Sequence, residues 1–204
     1  MAAHPLKVLT RFQQVQEWVK DWSGCTRCPL HKTRTNVVHG RGAIGKDGVD
    51  VLFIGEAPGD SEDICGEPFI GPAGQVLDQI IAQAVPEGVK FAICNLVGCI
   101  PRTGESVKAG EPDYEDIAAC RPRLERFVKI ADPKLIVTVG KLAREHIEPG
   151  LSTSAKFHKD IPMVDIIHPA AILRLPWAAR GLAVRKCIVT ISKAVQTHVQ
   201  GVAC

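Results

Sequence analysis

The chain has 204 residues, with 25 Lys and Arg against 22 Asp and Glu, and its net charge of +3 permits a nucleic-acid partner without indicating one. A chain of this length can bury a core without disulfides or metal, so we expect one domain over residues 1–204. No apolar run reaches the roughly 20 residues of a membrane span, and residues 1–14 lack the apolar core of a signal peptide. The sequence therefore predicts a soluble, cytoplasmic protein.

Predicted helices and strands alternate along the chain. Apolar spacing predicts a first amphipathic helix over residues 12–22. Apolar, β-branched runs predict four strands, at residues 49–55, 90–98, 134–140 and 161–168. Helical patterns accompany them at residues 74–85, 113–130, 141–147 and 183–199, and a polar stretch predicts a surface loop over residues 150–160.

Strands that are apolar along most of their length are typical of a parallel sheet covered on both faces. The alternation therefore predicts an α/β fold, a three-layer α/β/α sandwich around a central four-stranded parallel sheet. Ligands in such folds bind at the carboxyl ends of the strands. Three of these ends carry a side chain capable of chemistry, namely Glu56, Asn95 and His168.

The chain contains 8 cysteines, which in a reducing cytosol indicate metal binding rather than disulfides. A CxxC pair at residues 25–28 and two distant cysteines, Cys99 and Cys120, suit zinc or an iron-sulfur cluster equally. Cys94 and Cys187 lie in apolar segments and are expected to be small buried hydrophobic residues. The role of Cys65 stays open.

Residues 55–74, GEAPGDSEDICGEPFIGPAG, directly follow the first predicted strand. The glycines fit neither the GxGxxG spacing of a dinucleotide-binding turn nor a P-loop. The acidic residues do not keep the register of a calcium loop. The segment is therefore expected to form the floor of a binding pocket.

Six motifs, in order, carry a resemblance: GEAPG with the following ED, GEPFIGPAG, ICNLVGC, IAACRPRLE, PKLIVTVGKLA and IIHPAAILRLP. Together they resemble the family 4 uracil-DNA glycosylases, the iron-sulfur branch of that superfamily, from about Cys25 to Pro176. The resemblance implies a uracil-DNA glycosylase fold and an enzyme that flips uracil out of DNA, hydrolyses its N-glycosidic bond and leaves an abasic site. It also implies a structural 4Fe-4S cluster, held by Cys25, Cys28, Cys99 and Cys120.

Pocket roles follow from this expected chemistry. Phe69 can stack on the flat pyrimidine, and Asn95 can pair with O4 and the N3 proton of uracil. His168 can stabilise the departing anion at O2. The resemblance implies that Glu56 positions water or offsets sugar charge, with Asp60 and Asp63 as alternatives, and that Glu62 lies near uracil C5. Ala57 and Gly59 are small enough for close backbone approach.

The segment after His168 resembles a loop that enters the minor groove. Ile172 or Leu173 would fill the space left by the base, and Arg174 would hold a phosphate. Structural roles remain open for these residues: a core position for Phe69, a turn cap for Asn95, a solvated acid for Glu56, and a helical turn with buried aliphatic side chains for residues 172–173.

We expect a monomer without a membrane partner that acts on single- or double-stranded DNA containing uracil. Lys134 and Lys141, the only lysines in the matched motifs, are expected outside the pocket loops, which predicts a monofunctional enzyme without an amine nucleophile. No histidine occurs between residues 40 and 145 to trap the sugar covalently. The rival hypotheses are a non-catalytic iron-sulfur protein that binds nucleic acid, a glycosylase for another deaminated base, and a zinc protein.

Overall fold

The computed structural model describes residues 9–102, 109–147 and 160–201. In chain order the elements are α1 (Arg11–Ser23), a short 3-10 helix (Pro29–Lys32), β1 (Arg41–Gly42), β2 (Val51–Gly55), α2 (Asp60–Cys65), α3 (Pro72–Ala84), β3 (Phe91–Asn95), α4 (Tyr114–Ala131), β4 (Leu135–Val139), α5 (Lys141–Ile147), β5 (Met163–Ile166), α6 (Pro169–Arg174) and α7 (Trp177–His198).

The strands form one sheet in the order β1-β3-β2-β4-β5. Strands β2 to β5 are parallel, so the predicted four-stranded parallel sheet is confirmed. β1 adds an antiparallel edge strand beside β3, with Arg41 opposite Ile93. The sequence did not predict β1, because two residues are too few to show the alternation of a strand.

Helices cover both faces of the sheet, which confirms the three-layer sandwich. Successive residues of β2 point to opposite faces. Leu52 and Ile54 belong to a core that includes Trp18 and residues of α4, whereas Val51 and Phe53 belong to a core with residues of α3 and α7. The β2 strand is buried along its whole length, as its continuous apolar run predicted.

Several boundaries differ from the sequence prediction. α7 begins at Trp177 rather than at residue 183, because Gly181 weakens the helical pattern of its first turns. The short helix α2 was not predicted, and α6 was predicted only as the alternative of a helical turn at residues 172–173. β3 ends at Asn95, and a turn follows it. Of the predicted loop over residues 150–160, all but residue 160 lies outside the described residues. No helix in the described ranges combines the length and apolarity that a bilayer crossing requires.

Candidate active site

A cavity of about 930 Å³ lies at the carboxyl edge of the parallel strands. Its lining includes Glu56 after β2, Asn95 at the end of β3, Gly140 after β4 and His168 after β5. Phe69, from the loop between α2 and α3, also lines it. The structure thus brings together the three strand-end side chains that the sequence singled out. The volume lies within the range of small-ligand sites.

The floor of the cavity depends on a close approach between Gly55 and Phe69. A Cβ atom on Gly55 would clash with the Phe69 ring and with Asn95 Oδ1. Phe69 has a φ of 55°, a left-handed conformation that costs a non-glycine residue roughly 1–2 kcal/mol. Its ring is 5% exposed and lies 6.0 Å from the His168 ring, centroid to centroid. The backbone is strained where an aromatic face meets the cavity, which is typical of a functional position.

Asn95 is 1% exposed, and its Oδ1 atom has no hydrogen-bond partner among the described residues. An unsatisfied buried acceptor costs about 1–3 kcal/mol. Because Asn95 lines the cavity, a ligand N–H that enters there can satisfy this oxygen. The amide is therefore arranged to accept a hydrogen bond from a ligand, and the turn-cap role that the sequence left open does not account for its free oxygen.

His168 caps α6, and its Nδ1 atom accepts a hydrogen bond from the Ala170 backbone N–H at 3.1 Å. Burial, with a smaller contribution from Arg174, lowers the pKa of His168 to about 4. The ring is therefore neutral at pH 7, and since Nδ1 accepts, the proton lies on Nε2. Gly140, at a φ of 100°, lies against this ring, and a Cβ atom there would come within 3.0 Å of His168 Cβ.

Glu56 is partly buried beside Glu111, which also lines the cavity. Burial and then the charge of Glu111 raise the pKa of Glu56, while Arg174 opposes the shift. Sequence reasoning missed Glu111, because it lies in the segment between Cys99 and Cys120 that matches no motif. A carboxyl group with a raised pKa is suited to proton transfer near neutral pH.

The alternatives to Glu56 are engaged elsewhere. The Asp63 carboxylate is fully buried and accepts hydrogen bonds from the Thr35 backbone N–H at 2.9 Å and from Arg102 at 3.4 Å. Asp60 forms an ion pair with the same arginine. These contacts tie α2 to the segment after Cys28, so both acids serve the packing of the loop.

Glu62 lines the cavity, but its carboxylate braces the loop from within. It accepts hydrogen bonds from the backbone N–H groups of Gly59, Ile70 and Gly71 at 3.1, 3.0 and 2.8 Å. Ala57 and Gly59 also line the cavity. The three bonds show that Glu62 shapes the pocket wall, and they leave its expected position near uracil C5 a prediction.

Three of the four cysteines expected to bind a cluster are neighbours. Cys28 packs against the small apolar cluster that contains Cys99. Burial is the main cause that raises the pKa of Cys99, and nearby Cys120 adds to it. Cys25 follows the C-cap of α1, three residues before Cys28. Cys94 and Cys187 are buried as expected, and Cys65 is exposed at the end of α2.

The surroundings of these sulfurs fit thiolate ligands of an iron-sulfur cluster. In the described part of the chain no group of three or more His, Cys, Asp or Glu residues is arranged to hold a metal ion. Arg34 donates to Cys99 Sγ at 3.4 Å, and the Gly98 backbone N–H donates to Cys120 Sγ at 3.4 Å. Hydrogen bonds to cysteine sulfurs are typical of iron-sulfur sites.

Arg123, which the sequence analysis missed, lies between the cysteines and the cavity. It is 1% exposed, and its Nε donates to Cys120 Sγ at 3.2 Å while its Nη2 donates to the Asn95 carbonyl oxygen at 2.6 Å. Its Nη1 has no partner among the described residues. Burial opposes its charge, but Cys120 and Cys94 raise its pKa overall. A buried cation needs negative partners, and the neighbouring cysteines would supply them as thiolates.

The segment predicted to enter the minor groove forms α6. Ile172 is 1% exposed and packs in the core shared with α3 and α7, so the expectation that it fills the space left by the base is corrected: its side chain is not available to DNA. The buried-helix alternative describes it correctly. Leu173 is partly exposed and Arg174 is exposed. Of the two candidates, only Leu173 keeps surface for DNA.

The expected position of Lys141 is also corrected. It was predicted outside the pocket loops, but it lines the cavity because α5 begins directly after Gly140. Its Nζ lies 3.6 Å from Glu145 Oε1, and its side chain is 81% exposed. Lys134 lies at the other end of β4 and is paired with Asp50 at 2.8 Å.

Comparison with known proteins agrees with this geometry. The sequence model of the uracil DNA glycosylase superfamily matches residues 43–190. A type-4 uracil-DNA glycosylase of Pyrobaculum aerophilum is 34% identical over 184 residues, which cover 83% of this chain and 87% of that protein. The corresponding protein of Archaeoglobus fulgidus is 29% identical, with 80% and 85% covered, and that of Thermotoga maritima is 33% identical, with 74% and 78% covered.

Among solved structures, wild-type SMUG2 of Pedobacter heparinus aligns with a TM-score of 0.62 over 93% of this chain and 100% of that one. Its sequence identity of 16% supports a shared fold alone. The superfamily match covers most of the chain, and relatives above 30% identity cover more than two thirds of it. The chain belongs to the uracil DNA glycosylase superfamily and, within it, to the type-4 family.

Proposed function

We propose that the protein is a monofunctional uracil-DNA glycosylase of DNA repair, which removes uracil from DNA by hydrolysis and leaves an abasic site. The observation that carries the proposal is the unpaired, buried Oδ1 of Asn95 in a cavity that also holds the neutral His168 ring and the Phe69 face. The names of the type-4 relatives support the same substrate.

A base inside a duplex is out of reach, so the nucleotide must be flipped into the cavity. The uracil ring then stacks on Phe69. Asn95 Oδ1 accepts a hydrogen bond from uracil N3–H, and the amide nitrogen donates one to O4. Cytosine presents an unprotonated N3 and an amino group at C4, which leaves both Asn95 groups facing the wrong partner.

Departure of the base requires stabilisation of the negative charge that develops on uracil. The Nε2–H of His168 donates to O2 as the bond between C1′ and N1 breaks, and the bonding electrons leave with uracil. Water adds to C1′ and gives its proton to Glu56, whose raised pKa suits a general base. Glu56 also offsets positive charge on the sugar. The uracil anion then takes up a proton and Glu56 releases one, both by exchange with solvent, so the products are uracil and an abasic site.

The chain's own sulfurs suit a 4Fe-4S cluster held by Cys25, Cys28, Cys99 and Cys120. When bound, the cluster supplies structural cross-linking of the N-terminal segment, the turn after β3 and α4. Arg34 and Arg123 donate to the sulfurs of Cys99 and Cys120 and balance the negative charge of these thiolates. No step of base removal uses electron transfer.

The test is release of uracil from a labelled oligonucleotide with a single uracil, detected as alkali-labile strand cleavage. We expect cleavage by the wild-type protein, and a loss of about tenfold or more in kcat/KM for Asn95→Ala and for His168→Ala. Gln79→Ala, an exposed change on α3, is the matched control and should cleave normally. Oligonucleotides with cytosine or hypoxanthine in place of uracil test selectivity.

Two outcomes would count against the proposal. If the wild-type protein binds the oligonucleotide but releases no uracil, the protein is a binding module of the same fold. If it releases hypoxanthine in preference to uracil, it is a glycosylase for another base. Cleavage that survives both cavity substitutions would place the reaction at a different site.

A further inference from the structure

Basic residues are concentrated at the C-terminal end of the chain. Of the 25 Lys and Arg residues, five follow Asp165, whereas none of the 22 Asp and Glu residues does. The formal charge of +3 therefore arises in this stretch, and the preceding residues are slightly acidic in total. The stretch comprises the end of β5, α6 and α7. A segment without carboxylates that is rich in cations attracts phosphates.

The solvent face of α7 combines these cations with large apolar side chains. Trp177 is 86% exposed, the highest value among the large hydrophobic residues of the described segments, and Leu182 is 61% exposed. Trp177 and Arg185 are eight residues apart and therefore share one side of the helix. Lys186 is also exposed, but it lies nine residues from Trp177 and therefore points to the opposite side of the helix. Aromatic faces interleaved with cations are typical of surfaces that bind single-stranded nucleic acid.

The start of α7 is fixed to the segment proposed to contact DNA. Arg180 Nη2 donates to the Leu173 carbonyl oxygen at 2.7 Å, and Arg180 Nε donates to the Leu175 carbonyl oxygen at 3.0 Å. Trp177 lies in sequence between these carbonyl groups and Arg180, three residues after Arg174, which lines the cavity. The backbone that carries Trp177 is therefore held next to the segment whose Arg174 lines the cavity.

We propose that Trp177, with Arg185, binds the unpaired DNA that flanks the flipped nucleotide: one base stacks on the indole, and the guanidinium contacts a phosphate. This inference rests on the proposed function. Its occupant is single-stranded DNA, because an exposed indole face can receive an unstacked base, whereas the bases of a duplex already stack on one another. The surface would favour uracil in single-stranded regions.

The experiment is a titration of the full-length protein with a uracil-free oligothymidine of 12 nucleotides, followed by tryptophan fluorescence and anisotropy. Of the three tryptophans, Trp18 is buried and Trp22 is partly buried, so quenching by stacked bases reports mainly on exposed Trp177. Stacking of one base predicts that Trp177→Ala binds oligothymidine about 5- to 150-fold more weakly. Trp177→Phe should retain most of the affinity. The affinity of Trp177→Ala for a 12-base-pair duplex should differ less than twofold from that of the wild type.

One control variant and one charge variant accompany it. Phe12→Ala removes another exposed aromatic side chain, 68% exposed on α1, and should bind like the wild type. Arg185→Ala should lower the slope of log affinity against log salt concentration by about 0.7, the value for one phosphate contact on a single strand.

Unchanged oligothymidine affinity in Trp177→Ala would overturn the inference, as would an equal loss in Trp177→Phe or an equal loss on duplex. A variant that dissociates a dimer in sedimentation while binding DNA normally would also overturn it and identify a second copy as the occupant. Uracil release, measured on the same samples, keeps the two proposals apart. A protein that binds oligothymidine through Trp177 but releases no uracil refutes only the glycosylase. If the protein releases uracil and Trp177→Ala binds oligothymidine as tightly as the wild type, only the proposed role of Trp177 is refuted.

Discussion

Replacement of Arg123 by methionine removes the buried cation between Cys120 and Asn95 and keeps much of the side-chain volume. The Asn95 carbonyl oxygen and the Cys120 sulfur would each lose a charged donor, at 2.6 and 3.2 Å. Removal of one partner of a buried charged interaction lowers the free energy of unfolding by about 3–5 kcal/mol. For a chain of this length that corresponds to a decrease in Tm of roughly 6–20 °C. We expect a lower iron content as well, and weaker binding of uracil-containing DNA by the fraction that stays folded.

The assay combines thermal unfolding by circular dichroism with iron and sulfide content and the Kd for a uracil-containing oligonucleotide. Arg126→Met is the matched control, since it lies one turn further along α4 and pairs with Asp21 and Glu17 on the surface. A surface pair of this kind contributes about 0–1 kcal/mol. The reasoning is refuted if Arg123→Met keeps its iron and unfolds within about 1 kcal/mol of the wild type, or if Arg126→Met is equally damaging.

Three further predictions follow from the geometry of single residues. The pKa values of His39 and His168 are lowered from 6.5 to about 4 in the folded protein. As pH falls below 6.5, the unfolded chain therefore protonates at these histidines before the folded protein does. The free energy of unfolding decreases as pH falls toward 4, by at most about 3 kcal/mol for each residue. Denaturant titrations should show that the free energy of unfolding depends less on pH in His168→Asn than in the wild type. An unchanged dependence would contradict the lowered pKa of His168 as its cause. Lys141 is a solvent-exposed amine that is paired with Glu145, so we expect it not to act as a nucleophile. Borohydride should trap no covalent DNA adduct, and Lys141→Met should excise uracil at the wild-type rate. An adduct that is trapped with the wild type and absent with the variant would show lyase chemistry. Ile172→Ala should lower the free energy of unfolding by about 2–5 kcal/mol with little change in DNA binding, whereas Leu173→Ala should do the reverse, as compared by denaturant and anisotropy titrations.

The sequence located the centre of the candidate site because topology leaves few alternatives. Four continuous apolar runs separated by helical patterns imply parallel strands, whose carboxyl ends share one edge. Residues that follow those runs, such as Glu56 and His168, must then be neighbours. Phe69 was found through its motif, but its left-handed backbone and its contact with Gly55 depend on packing that no periodicity reveals.

Residues whose role depends on burial were less predictable. Arg123 belongs to a helix with many charged residues, where the default expectation is a solvated cation. Only the packing of α1 on α4, with the Trp18 ring 5.6 Å from the guanidinium carbon, shows that it is enclosed. Ile172 illustrates the converse: an aliphatic residue after a strand can fill a groove in DNA or a core, and its contact with α3 and α7 decides for the core.

The turn after β3 connects a proposed cluster ligand with the residue proposed to recognise the base. Asn95 begins this turn and Cys99 lies four residues later. Between them, the Leu96 and Val97 backbone N–H groups donate to the carbonyl oxygens of Gly55 and Glu56 at 3.0 and 3.2 Å, and the Gly98 N–H donates to Cys120. Hydrogen bonds therefore fix this short turn to the end of β2 on one side and to Cys120 of α4 on the other. A cluster that fixes Cys99 and Cys120 restricts the position of Asn95 without contacting substrate, so its loss should raise KM for uracil-containing DNA before it changes the protonation chemistry of Glu56 and His168.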